Sequence, residues 1–103
     1  MGQQVYKLWQ GRWTEAWHAL SAEEQQRLLG QAQKALDTAG GKELVICSAA
    51  WSNERWPLFG LEEFPDIDAV HRHAQLLLDL NWARYVESRT TVGTQLSLPE
   101  PPE

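Results

Sequence analysis

The chain has 103 residues, 43% of them hydrophobic and 22% charged, which fits one folded domain around a single core and argues against disorder. A formal net charge of −5, with no cluster of Lys and Arg, disfavours nucleic acid or an anionic membrane as partner, because phosphate binding needs a basic surface. A lone cysteine (Cys47) leaves no internal disulfide, no apolar run approaches the roughly 20 residues of a membrane span, and the opening residues lack a secretory signal, so the expected setting is cytoplasmic.

Residues 5–13, rich in aromatic side chains, read as a first strand, and Thr14 to Leu20 as a short helical turn. Ser21 with Glu24 three residues on forms a capping box. The helix it opens is expected to run to about Thr38, with Leu28, Leu29, Ala32, Ala35, Leu36 and Ala39 on one face and Gly40-Gly41 as its stop. Lys42 to Ser52 is the second strand, and a turn at Ser52-Asn53-Glu54 leads to a third from about Arg55 to Glu63. Asp66 or Asp68 opens a second long helix whose buried stripe is read as Ile67, Val70, Ala74, Leu77 and Leu78. Asn81 to Tyr85 reads as a separate turn, and Val86 to about Leu98 as the fourth strand. Residues 1–98 thus form one α+β domain of order β-α-β-β-α-β, and 99–103 a disordered Pro/Glu tail.

The strands carry apolar residues on both faces. Val45, Cys47 and Trp51 oppose Leu44 and Ile46, Trp56 and Leu58 oppose Phe59 and Leu61, and Trp9 and Trp13 oppose Tyr6 and Leu8. A four-stranded antiparallel sheet with two helices on one face would alternate apolar with polar if its other face met water. The second apolar face therefore calls for a partner, and the simplest closed solution is a homodimer with the two sheets packed face to face.

This element order, the Phe64-Pro65-Asp66 lead into a His-bearing helix, and Tyr85 with Ser88-Arg89-Thr90 and Gly93 at the last strand together resemble the dimeric α+β barrel superfamily. That group of ferredoxin-like subunits includes antibiotic-biosynthesis-type monooxygenases, haem-degrading monooxygenases and muconolactone-isomerase-like proteins. The resemblance covers residues 5–98. It implies a homodimeric barrel and a pocket between helices and sheet or inside the barrel, but no particular reaction. Haem-degrading members carry a His on the second helix, a Trp in the third strand and an Asn in the first. His71 and Trp56 stand at the first two positions, whereas the first strand offers only Gln10 as a side-chain amide.

His71 and His73 point roughly 160° apart on one helix, so they cannot share a metal, and no metal site is assigned. His71, in line with Ile67, Ala74 and Leu78, is the candidate proton-transfer group facing a cleft; the alternative is a boundary histidine bonded to backbone or water. Among six tryptophans, Trp51 and Trp56 are the first candidates to line a cavity, since they flank the Ser52–Arg55 turn. Arg55 is placed to hold a substrate carboxylate or, alternatively, a surface salt bridge, and Tyr85 to shape the site. Cys47 lies in an apolar strand with no neighbouring base, and Glu62 and Glu63, adjacent on a strand, face opposite ways and do not form a catalytic pair. The functional expectation is a dimer binding a small apolar or aromatic molecule in a Trp-lined pocket, acting without a cofactor as a monooxygenase or isomerase. The alternatives are a non-catalytic dimeric interaction or regulatory module, and haem binding through His71.

Overall fold

The computed structural model describes residues 2–102; Met1 and Glu103, the outer ends of the expected domain and tail, lie outside them. Strand β1 (Val5–Trp13) leads through a single helical turn, α1 (Glu15–His18), into α2 (Ala22–Thr38). Then follow β2 (Lys42–Ser48), β3 (Leu58–Phe64), α3 (Ile67–Asp79), a 3₁₀ turn (Trp82–Arg84) and β4 (Val86–Gly93). The strands form one antiparallel sheet in the order β2-β3-β1-β4. This α+β arrangement is consistent with a ferredoxin-like fold. No helix among the described residues is long and apolar enough to cross a membrane.

Local chemistry sets the boundaries. The Ser21 hydroxyl accepts from the Glu24 N–H while the Glu24 carboxylate accepts from the Ser21 N–H, closing the capping box that starts α2. Gly40, at φ +84°, takes the left-handed conformation that ends it. Asp66 caps α3 by accepting from the Ala69 N–H at 2.8 Å.

Three strand ends fall short of the sequence expectation. β2 stops at Ser48, because the chain turns at once: the Ser52 and Asn53 N–H groups both donate to the Ala49 carbonyl. β3 begins only after Pro57, which has no N–H to give a ladder. β4 ends at Gly93, opposite Tyr6 near the start of β1, beyond which no strand remains to pair with it. Residues 94–102 run on exposed and without regular structure.

The core sits between the helices and one face of the sheet, where Val5, Leu36, Phe64, Ala69 and Val70 form a buried cluster. The inward face of α3 differs from the expected stripe. Ala69, Val70 and His73 are buried, whereas Ile67, His71, Ala74 and Leu78 are exposed. Counting apolar residues alone passed over His73, which is inside because the sheet beneath it is polar at that point. On the other sheet face Tyr6, Leu8, Val45, Cys47, Phe59 and Leu61 share one side, and Leu8 and Val45 remain largely exposed.

Candidate functional site

The site begins as a row across three strands. Lys7 on β1 pairs in register with Glu62 on β3, and Glu62 pairs with Glu43 on β2. All three side chains point toward the helices. For Glu43 this depends on an irregularity: the β2–β3 register shifts between Glu43 and Val45, so Leu44 is an extra residue in the strand. In a regular strand residues 43 and 46 would face opposite ways. The bulge brings Glu43 onto the same side as Ile46, beside Glu62.

Burial is deep for such polar groups. Lys7 is 9% exposed, Glu62 6% and His73 3%. Lys7 Nζ lies 3.6 Å from Glu62 Oε1 and 3.3 Å from His73 Nδ1, to which it donates. His73 comes from α3 and tilts against Phe64, with ring centroids 5.5 Å apart. Trp9 Nε1 donates a long hydrogen bond of 3.5 Å to Glu43 Oε2.

Proton affinities shift accordingly. Burial, and then the Glu62 carboxylate beside it, raise the Glu43 carboxyl to about 7, with Trp9 and Lys7 opposing. Burial also raises Glu62, opposed chiefly by the Lys7 charge. Burial, and then Lys7, push His73 down to about 4, so its imidazole is neutral near pH 7. The cluster thus sets a lysine beside a histidine that is neutral near pH 7 and two carboxyls of raised proton affinity, of which Glu43 titrates near neutrality.

Tryptophans build the walls. The Trp9 indole lies across Gly60, its partner on β3, so closely that a Cβ there would sit 2.6 Å from the ring. Trp13 and Trp17 stack with centroids 4.0 Å apart, and Trp82 meets both edge-on at 6.3 and 6.4 Å. Asn81, at φ +56°, makes the left-handed turn that swings Trp82 back onto this stack. The Thr14 hydroxyl joins the parts, donating to the Arg84 carbonyl at 2.7 Å and accepting from the Trp17 N–H.

Between helices and sheet these residues line a partly open cavity of about 340 Å³. Trp9, Trp13, Trp82, Leu29, Ile46 and Leu77 give it apolar walls, and Lys7, Glu43, Glu62 and His73 give it a polar floor. A second hollow of about 480 Å³ lies between the chain start and α3. Among the described residues its only charged lining groups are Asp66, already used as a helix cap, and Asp68. Among the described residues no three His, Cys, Asp or Glu side chains are grouped to hold a metal ion.

None of the five candidate site residues (His71, Trp51, Arg55, Trp56 and Tyr85) lines the 340 Å³ cavity. His71 is exposed on the outer side of α3, two residues from the histidine that does line it, because the helix presents Ala69, Val70 and His73 inward. Trp51 is 89% exposed in the β2–β3 connection. The Arg55 guanidinium lies 4.4 Å over the half-buried Trp56 ring and pairs with Glu87, which makes it the surface ion pair that was its alternative reading. Tyr85 is half-buried at the end of the 3₁₀ turn. The reading that Glu62 and Glu63 face opposite ways agrees with the structure, where only Glu62 is buried; its carboxyl partner is Glu43, across the ladder. One signal for the missed cluster was present: Lys7 and Glu62 occupy inward positions of rows otherwise made of Val5, Trp9, Gly60 and Phe64.

Compared with known proteins, the sequence matches no family model and no curated protein.

Proposed function

We propose that the protein binds a small, largely apolar or aromatic molecule in the cavity between helices and sheet and moves a proton on it, with Glu43 as the proton-transfer group. The observation that carries this reading is a carboxyl titrating near neutrality at the floor of a tryptophan-walled cavity. At pH 7 such a group is populated in both its forms, which suits general acid–base work. The favoured class is isomerisation. A carbon-bound proton passes to the Glu43 carboxylate, and the electron pair it leaves becomes a new double bond conjugated with the oxygen of the substrate. The same Glu43 then returns the proton to a different atom. No external oxidant or reductant enters the balance, and the buried Lys7 cation stabilises negative charge that develops on the substrate oxygen.

The free sheet face supports the second part of the reading, a homodimer. Tyr6, Leu8, Phe59, Leu61, Val45 and Cys47 form an apolar surface that a second copy, carrying the same surface, would cover. Element order, cavity position and this face together support membership of the dimeric α+β barrel superfamily. The alternative function, a non-catalytic dimeric module, draws on the same face and on the Trp13–Trp17–Trp82 stack as plain packing.

Deuterium incorporation at the acidic carbon of β-tetralone, followed by NMR, tests the catalytic reading. The native protein is expected to accelerate exchange with a midpoint near pH 7, and Glu43→Gln to reduce the acceleration roughly 10²- to 10⁴-fold. Exchange no faster with protein than with buffer would leave the non-catalytic module as the surviving reading.

A further inference from the structure

The polar floor of the cavity contains one atom that the proton-transfer reading does not use. Glu62 Oε1 is buried and has no hydrogen-bond partner among the described residues. The Glu62 side chain is only 9% exposed, and it lines the cavity. Leaving a carboxyl acceptor buried without a donor is costly, which is why such atoms are rare. Neither of the nearby nitrogen donors makes a hydrogen bond to Oε1. Lys7 Nζ stands 3.6 Å from Oε1, beyond hydrogen-bond length, and is directed at His73 Nδ1. Trp9 Nε1 is directed at Glu43.

We propose that the molecule bound here carries a hydroxyl group, phenolic or enolic, whose O–H is donated to Glu62 Oε1 while its oxygen accepts from Lys7 Nζ. The inference rests on the cavity being a binding site, and it deepens that reading by naming the chemical class of the ligand. Three observations select a hydroxyl. The seat needs a donor for Oε1, and an ammonium or guanidinium donor is disfavoured by Lys7 standing 3.6 Å away. It also offers a donor, Lys7, on the same side, so the ligand atom must both give and accept. A hydroxyl oxygen does both, whereas an indole or amide N–H only donates. Finally, the walls of Trp9, Trp13 and Trp82 suit a flat ring attached to that hydroxyl. The enolic form links the seat to the proposed reaction. An enol is the tautomer produced when a ketone gives up an adjacent carbon-bound proton and its oxygen takes one, so one seat holds the oxygen through both halves of the transfer.

The test is calorimetric titration of the native protein with β-naphthol and with its methyl ether, which has the same ring system and oxygen but no donor. β-Naphthol is expected to bind at least about tenfold more tightly than the ether. In Glu62→Gln the preference is expected to shrink toward unity, with the fold checked by circular dichroism. A second readout needs no variant: the hydroxyl proton of bound β-naphthol should move downfield in the NMR spectrum, as expected for a charge-assisted bond. If naphthol and ether bind equally well, Oε1 takes no donor from the ligand, and the hydroxyl seat is overturned while the cavity stands as a binding site. If neither binds, the binding-site reading itself fails, and this inference with it.

Discussion

Glu43 and Glu62 face each other from neighbouring strands on the helix side of the sheet, and they do so because Leu44 is an extra residue in β2. Burial, and then the Glu62 carboxylate beside it, keep a proton on Glu43 to near neutral pH. The bulge therefore converts two ordinary strand glutamates into an acid–base group.

The first prediction concerns pH. The Glu43 pKa rises on folding from 4.5 to about 7, so its stabilising contribution is complete below pH 4.5 and is lost as pH rises through 7. His73 falls from 6.5 to about 4, so its contribution is present above pH 6.5 and is lost as pH falls through 4. Between pH 4.5 and 6.5 the two slopes oppose each other and leave a nearly flat profile from this pair. Glu43→Gln removes one of them. Its stability relative to the native protein should climb with pH across this range, with a ceiling of about 1.4 kcal/mol per pH unit that solvent screening at the half-buried Glu43 lowers. Urea unfolding at pH 4.5, 5.5, 6.5 and 7.5 measures it; parallel profiles for the two proteins would mean that Glu43 does not titrate as described.

Gly60 provides the second. A methyl group there would meet the Trp9 ring at 2.6 Å, and a rigid indole can relieve that contact only by moving away. Gly60→Ala is expected to cost roughly 1–3 kcal/mol in stability and to break the Trp9–Glu43 hydrogen bond. Displacing the indole also reshapes the cavity, so β-naphthol binding should weaken together with the shift in tryptophan fluorescence. Unchanged fluorescence and affinity would show that the close packing of Trp9 on Gly60 has no bearing on the cavity.

These residues show how far the sequence could be read. Element order was legible because its signals are local: a capping box at Ser21, a glycine stop at Gly40, and an aromatic-rich run in β1. The apolar second face was legible for the same reason, since period two needs only neighbouring residues. The site was not, because its parts meet only through pairing. Lys7, Glu62 and Glu43 come from three strands, and the bulge that turns Glu43 inward leaves no mark in the run Glu43-Leu44-Val45-Ile46. His73 lost to His71 because an apolar count favours the residue in line with Ile67 and Leu78, both of which are exposed on the outer face of α3. Trp51 and Trp56 were attractive for flanking a turn, yet proximity to a turn says nothing about which side of the sheet a ring will occupy.

Lys7 and Glu62 carry a third prediction. Removing one partner of a buried pair leaves the other uncompensated, so Lys7→Met should destabilise the protein by roughly 3–5 kcal/mol at pH 8. The cost should be smaller at pH 5, where a Glu62 deprived of its cation takes up a proton. The double variant Lys7→Met with Glu62→Leu should recover most of the loss, because an apolar pair of similar volume needs no charge balance. A double variant no more stable than Lys7→Met would show that the pair serves packing rather than charge neutralisation.

The last prediction addresses the free face. Leu8 and Leu61 are register partners at the centre of the sheet, on the side away from the helices. An aspartate at Leu8 touches nothing in the helix-side core, so the single subunit should keep its fold. In a dimer with apposed sheets the same change would bury two carboxylates without partners, one from each copy, at a cost no small interface can absorb. Native mass spectrometry should therefore find the unaltered protein at twice the subunit mass and Leu8→Asp at the subunit mass, both with the same far-ultraviolet circular dichroism. Leu29→Asp, on the α2 side of the cavity, serves as the control that should stay dimeric, since it places the same charge away from this face. A native protein that runs as a monomer would overturn the dimer, and with it the support the free face lends to the barrel superfamily, while the cavity, formed within one chain, would stand.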